Sequence, residues 1–128
     1  MSCADVCIDH DYDDENAFYR ETTPTARTPH TCCECRAVIP VGARYERAAG
    51  KSGGGVWTAT SCARCAEIRH AFVCGGFRFG DLWESIEESI FPIWEASGPI
   101  DCLAKLTTLD ARNTVREHYR DWKAETTA

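Results

Sequence analysis

Hydrophobic residues recur at two different periods along this chain. Ala17 to Thr22 (AFYRET) is short and aromatic and predicts a strand. Pro24 and Pro29 then punctuate a linker. Ala43 to Ala49 (ARYERAA) and Val56 to Ser61 (VWTATS) predict two more strands, joined by a flexible turn over Gly50 to Gly55. From Cys62 the period becomes helical: Cys65, Ile68, His70, Ala71, Phe72 and Cys74 fall within three turns, and Gly75-Gly76 predicts the stop. Leu82, Trp83, Ile86, Ile90 and Trp94 form a second apolar stripe, with Asp81 as N-cap, Glu84 completing a capping box, and Glu84, Glu87 and Glu88 facing water. Pro92 kinks or ends that helix, and Gly98-Pro99 breaks the chain again. Asp101 opens a short helix through Leu106. Thr107 or Thr108 caps a last one to about Ala124, whose apolar face is Leu109, Val115, His118, Tyr119 and Trp122. The pattern is α+β: an N-terminal segment (1–31) with a short strand, a hairpin-and-helix module (32–76), and a C-terminal helical region (77–128) packing on it. At 128 residues these parts make one compact domain.

Charge divides along the same boundaries. The net charge is -6, which excludes a generally basic nucleic-acid coat. Residues 1–21 hold seven acids and one base, residues 22–80 eight bases and three acids, and residues 81–128 ten acids and five bases. A basic centre therefore lies between two acidic ends. Within the first end, Asp9-x-Asp11-x-Asp13 imitates a calcium loop, but Asp14 and Arg20 stand where that loop needs glycine and glutamate. Gly50-Lys51-Ser52 ends like a phosphate-binding loop, yet Tyr45 replaces its first glycine and the setting is strand–turn–strand.

The nine cysteines carry the sharpest chemical signal. Cys32-x-x-Cys35, twenty-six residues, then Cys62-x-x-Cys65 is the spacing of a closed tetrahedral zinc site, each pair forming a knuckle that aims two thiolates at one ion. Four thiolates and Zn²⁺ add -2 to the basic centre. A helix starting at the second pair turns its N–H groups towards the thiolates. Cys33 competes with Cys32 for a place, and His30 is an alternative ligand. Cys3, Cys7, Cys74 and Cys102 read first as ordinary buried or free thiols; the alternative is a second metal site to which Cys3, Cys7 and His10 supply three donors and Cys74 or Cys102 the fourth. An odd cysteine count, no basic-then-apolar leader and no run near the roughly 18 apolar residues of a membrane span favour a reducing cytoplasm and thiols that serve metal.

Knuckle, hairpin and ligand-bearing helix come in the order of treble-clef zinc fingers. Cys32-x-x-Cys35, Ile39-x-x-Gly42-x-x-Tyr45, Trp57, Cys62-x-x-Cys65 and Phe79-Gly80-Asp81-Leu82-Trp83 together resemble small zinc-finger proteins of bacteriophages and prophages. Arg36 departs from the glycine usual after the first pair. The resemblance implies a fold and a host cytoplasm, not a reaction. Residues 36–61 contain no histidine, where His-Asn-His nucleases carry their base, and no His-x-Glu of zinc deaminases occurs. A non-enzymatic interaction module is expected, docking on a basic protein or nucleoprotein complex such as a host nucleic-acid-handling or defence machine. The alternative is a nucleic-acid-binding finger using Arg44, Arg47 and Lys51. No small-molecule substrate is indicated.

Overall fold

The computed structural model describes residues 7–9, 18–52, 54–97 and 103–127. Cys3, His10, Asp11, Asp13, Asp14, Asp101 and Cys102, all singled out above, lie outside the described residues.

Strands β1 (Phe18–Thr22), β4 (Tyr45–Ser52) and β5 (Gly55–Cys62) form an antiparallel sheet in the order β1-β4-β5, and β2 (His30–Thr31) pairs with β3 (Val38–Ile39) in a second, two-stranded sheet. The register places Thr22 opposite Arg47, Arg47 opposite Thr60, and Gly50 opposite Trp57. The β4–β5 hairpin is longer than its glycines predict. The strands run to Ser52 and restart at Gly55, so Gly50 is inside β4 rather than in the turn. Gly50 is required there because the Trp57 ring lies over it: a Cβ would sit 2.5 Å from Trp57 Cζ2. The proline-bounded linker is anchored, since Ala26 is buried and bonded both ways to Ala43 and Gly42.

Helix α1 (Ala63–Phe72) ends before the predicted glycine stop. Val73 turns extended to pair in parallel with Ile8, which donates to Phe72 O and accepts from Cys74 N. Helices α2 (Leu82–Ser89) and α3 (Phe91–Ser97) divide beside Pro92, which occupies the first turn of α3, where its missing N–H has no intrahelical partner to lose. Helix α4 (Leu109–Thr127) closes the fold. Leu109, expected on its apolar face, is instead 66% exposed, and Ala111 and Val115 fill the core. One core cluster joins Ile8, Cys32, Ile39, Cys65, Ile68 and Phe72 to Leu82, Ile86, Ile90, Phe91, Trp94 and Val115. Two tryptophans of the second apolar stripe make contacts inside the chain: Trp94 is buried against Phe72 and Phe91, and Trp83 stacks on His118 at 3.7 Å.

Two carboxylates bind the hairpin-and-helix part to the C-terminal helices. Asp81 makes no side-chain cap on α2. Glu34, between the first cysteines, accepts from Gly80 N at 2.9 Å and Leu82 N at 3.2 Å instead. Glu67 on α1 accepts from the backbone N–H groups of Thr107 and Thr108 and from both hydroxyls, while Thr108 Oγ1 caps Ala111 N.

Candidate metal centre

The first cysteine pair sits in the turn between β2 and β3. Cys32 N donates to Ala37 O and Arg36 N to Cys32 O, which closes the turn tightly. Cys33 N donates to Thr60 O on the edge of β5 at 2.8 Å, docking the turn beside the end of that strand. Cys62 is the last residue of β5 and the N-cap of α1, and its Sγ accepts from Cys65 N at 3.4 Å. The matching bond in the first pair runs from Glu34 N to Cys32 Sγ, also 3.4 Å. Backbone N–H groups thus point at a sulfur in each pair, and the positive end of α1 faces the cluster.

The sulfurs of Cys32, Cys35, Cys62 and Cys65 all lie within 4.8 Å of one another, with Cys32 and Cys65 fully buried. Four soft donors at this separation fit one metal ion. Hydrogen bonds from the Cys62 and Cys65 thiols hold Cys32 far below the usual thiol range. The same bonds push Cys62 up to about 11 and Cys65 up as well. A metal takes cysteines as thiolates, so binding at this cluster releases protons. Burial opposes the charge of Arg64, but a hydrogen bond to Cys35 and attraction from Cys62 and Asp110 raise its pKa overall. That guanidinium offsets part of the negative charge of a four-thiolate site.

The alternative ligands lie elsewhere. Cys33 Sγ is 3.7 Å from Ser61 Oγ, and burial pushes its thiol up. The His30 ring packs on Tyr45, centroids 4.7 Å apart. Cys7, read as an ordinary thiol or alternatively as a ligand of a second site, is disulfide-bonded to Cys74. Pairing of Ile8 with Val73 brings the two Cα atoms to 5.7 Å, within the disulfide range, so neither sulfur is a free thiolate donor. The reading of the cysteines as metal-serving thiols is corrected for this pair.

A second cluster escaped the sequence reading. Glu21, Glu46 and His70 offer donor atoms within 4.8 Å of one another. Arg69 is 6% exposed and ion-paired with both Glu46 and Glu21, with its guanidinium 4.9 Å over the Phe79 ring. His70 Nε2 lies 2.6 Å from Glu46 Oε2. The chain's own guanidinium bridges the two carboxylates and offsets half of their charge, so the cluster is an ion-pair network behind the sheet. Strand alternation on β4 was the only available signal: it turns Glu46 to the same side as the buried Ala48.

The proposed nucleic-acid residues divide. Arg44 Nη2 donates to Thr23 O at 3.1 Å at the start of β4, while Arg47 and Lys51 share the opposite, exposed face of that strand. Among the described residues no helix is long and apolar enough to cross a membrane. Comparison with protein-family models, curated proteins and solved structures finds no match to this chain.

Proposed function

We propose that the chain is a non-enzymatic interaction module built on a treble-clef finger, in which Cys32, Cys35, Cys62 and Cys65 hold one structural Zn²⁺. The observation that carries this reading is the convergence of four sulfurs at one point, two from a strand-flanked turn and two from a helix start. Four thiolates complete a tetrahedral shell and leave no position for a substrate or an activated water. The metal therefore serves folding, on the order of 10 kcal/mol in small zinc modules. Protein purified without added metal should contain about one zinc per chain. Iron in its place would change the ion assignment, and native circular dichroism retained by a metal-free chain in chelator would sink the structural role.

The partner proposed is a basic protein or nucleoprotein complex. Glu84, Glu87 and Glu88 are exposed on α2. Partial burial and the charges of Glu125, Glu84 and Glu88 push the Glu87 carboxyl above its usual range. A cationic groove docking there would relieve this repulsion and be drawn in at long range. A phage-encoded accessory protein or inhibitor of a host nucleic-acid or defence complex is the setting the sequence resemblance suggests. Glu84→Gln, Glu87→Gln and Glu88→Gln together should slow association with a partner recovered from host lysate, most visibly at low salt. An unchanged on-rate would move the docking surface elsewhere.

A further inference from the structure

The outer face of the three-stranded sheet is chemically one-sided. The register sets Arg20 and Thr22 of β1 beside Arg47, Ala49 and Lys51 of β4, and those beside Val56, Thr58 and Thr60 of β5. Side chains two residues apart share a face, so all eight positions are on the same side. Arg20, Arg47, Lys51, Val56 and Thr58 are exposed, and Thr22, Ala49 and Thr60 are half-exposed. The acids of these strands, Glu21 and Glu46, alternate to the other face and are bound to Arg69. No described carboxylate pairs with Arg20, Arg47 or Lys51. Arg20, Thr22, Arg47 and Ala49 line a surface cavity of about 350 Å³. Arg20 and Arg47 are diagonal neighbours across the β1–β4 pair, an arrangement in which like charges repel unless an anion lies between them.

We propose that this face binds the phosphate backbone of a single-stranded nucleic acid, with one phosphate in the Arg20–Arg47 cavity and the strand running on to Lys51. Guanidinium groups suit phosphate because their planar N–H donors can bond two oxygens at once. Threonine hydroxyls add the uncharged donors common in backbone contacts. Lys51 is four residues beyond Arg47 on the same strand, about 13 Å at the usual rise. A lone phosphate cannot span that distance, whereas a chain of phosphates can. The exposed Val56 offers an apolar surface beside the track, and no described base-reading group stands on it, so sequence preference is weak. This site goes beyond the zinc-module reading and lies on the opposite-signed surface from the acidic helix. Together the two surfaces match a partner containing both protein and nucleic acid.

The test uses the full zinc-loaded chain and a fluorescently labelled oligothymidine, read by anisotropy across a salt series. Two neutralised phosphates, one in the cavity and one at Lys51, predict a slope of log K against log salt of about -1.4. Arg20→Gln, Arg47→Gln and Lys51→Gln together should weaken binding at least about tenfold and flatten that slope. Arg116→Gln with Arg120→Gln, on the exposed side of α4, should leave both unchanged. Zinc content and circular dichroism establish that each variant is folded; Lys51→Gln alone, expected to reduce the slope by about 0.7, tests the idea should the triple variant fail to fold. Absence of saturable binding at low salt would overturn the proposal with the metal site untouched. So would equal losses in the α4 control. Inorganic phosphate or polyglutamate binding as tightly as the oligonucleotide would overturn the nucleic-acid assignment in favour of an anion or an acidic protein segment.

Discussion

Arg36 closes the first cysteine turn at φ 65°, in the left-handed region that side chains with a Cβ avoid. That conformation costs about 1–2 kcal/mol for an ordinary residue. Arg36→Gly should therefore stabilise the zinc-loaded protein, by up to about 1 kcal/mol once glycine's larger unfolded-state entropy is deducted. Urea unfolding checks this, and Arg36→Ala, which keeps a Cβ, should gain little. The absent glycine was visible in the sequence because a knuckle is a local structure with a local rule. The four sulfurs were legible for the same reason, since two short Cys-x-x-Cys spacings nearly determine the geometry of each pair. Arg69 was not legible. Its partners Glu21 and Glu46 are on other strands, and a helix position next to a histidine reads as surface until the sheet beneath it is known. Its burial predicts that Arg69→Ala is among the costlier polar substitutions, about 3–5 kcal/mol, because two carboxylates lose their cation.

Helix ends show a similar limit at the scale of elements. Asp81 and Glu84 have the local spacing of a capping box, yet the start of α2 is held by Glu34 from the knuckle. A cap needs only an acceptor near the free N–H groups, and the knuckle brings one through space. The start of α4 follows the local rule and exceeds it: Thr108 caps Ala111 as expected, and Glu67 adds bonds from α1. Glu34→Ala and Glu67→Ala should each cost about 1 kcal/mol in thermal or denaturant unfolding. Glu67 also gives a pH signature. Although burial opposes its charge, bonds from Thr108 and Thr107 hold its carboxyl below the usual range. A depressed folded value contributes stability that is complete above the unfolded pKa of about 4.3 and is lost as pH falls through the folded one. The acid limb of the wild-type stability curve should therefore be steeper than that of Glu67→Gln; parallel limbs would mean that the bonds seen at Thr107 and Thr108 contribute nothing in solution.

Across the whole molecule the Cys7–Cys74 disulfide, its cysteines separated by 67 positions, encloses the Cys32–Cys65 cluster, which the proposed metal would close as a second, inner crosslink. The strand–hairpin–helix order was readable from periodicity, but this pairing was not, because it depends on Ile8 lying against Val73 after α1 has formed. Closing a loop of that length is worth at most about 4 kcal/mol in the chain-entropy account. The metal shortcut inside the loop removes about half of its length, which changes that figure by only about 0.6 kcal/mol. The two crosslinks should thus act nearly independently. Both Cys7 and Cys74 are solvent-exposed, so a non-thiol reductant can reach them while the buried sulfurs of Cys32 and Cys65 stay with their metal. Reduction, or Cys7→Ser with Cys74→Ser, should lower the unfolding midpoint by several kcal/mol equivalent and leave zinc content unchanged. Chelation of the oxidised protein should instead unravel the β2–β3 turn and the start of α1 first, seen as early amide exchange at Cys33 and Cys65. A non-reducing digest in which the Cys7 and Cys74 peptides run separately would remove the outer crosslink from this account and leave the Ile8–Val73 bridge to hold residues 7–9 alone.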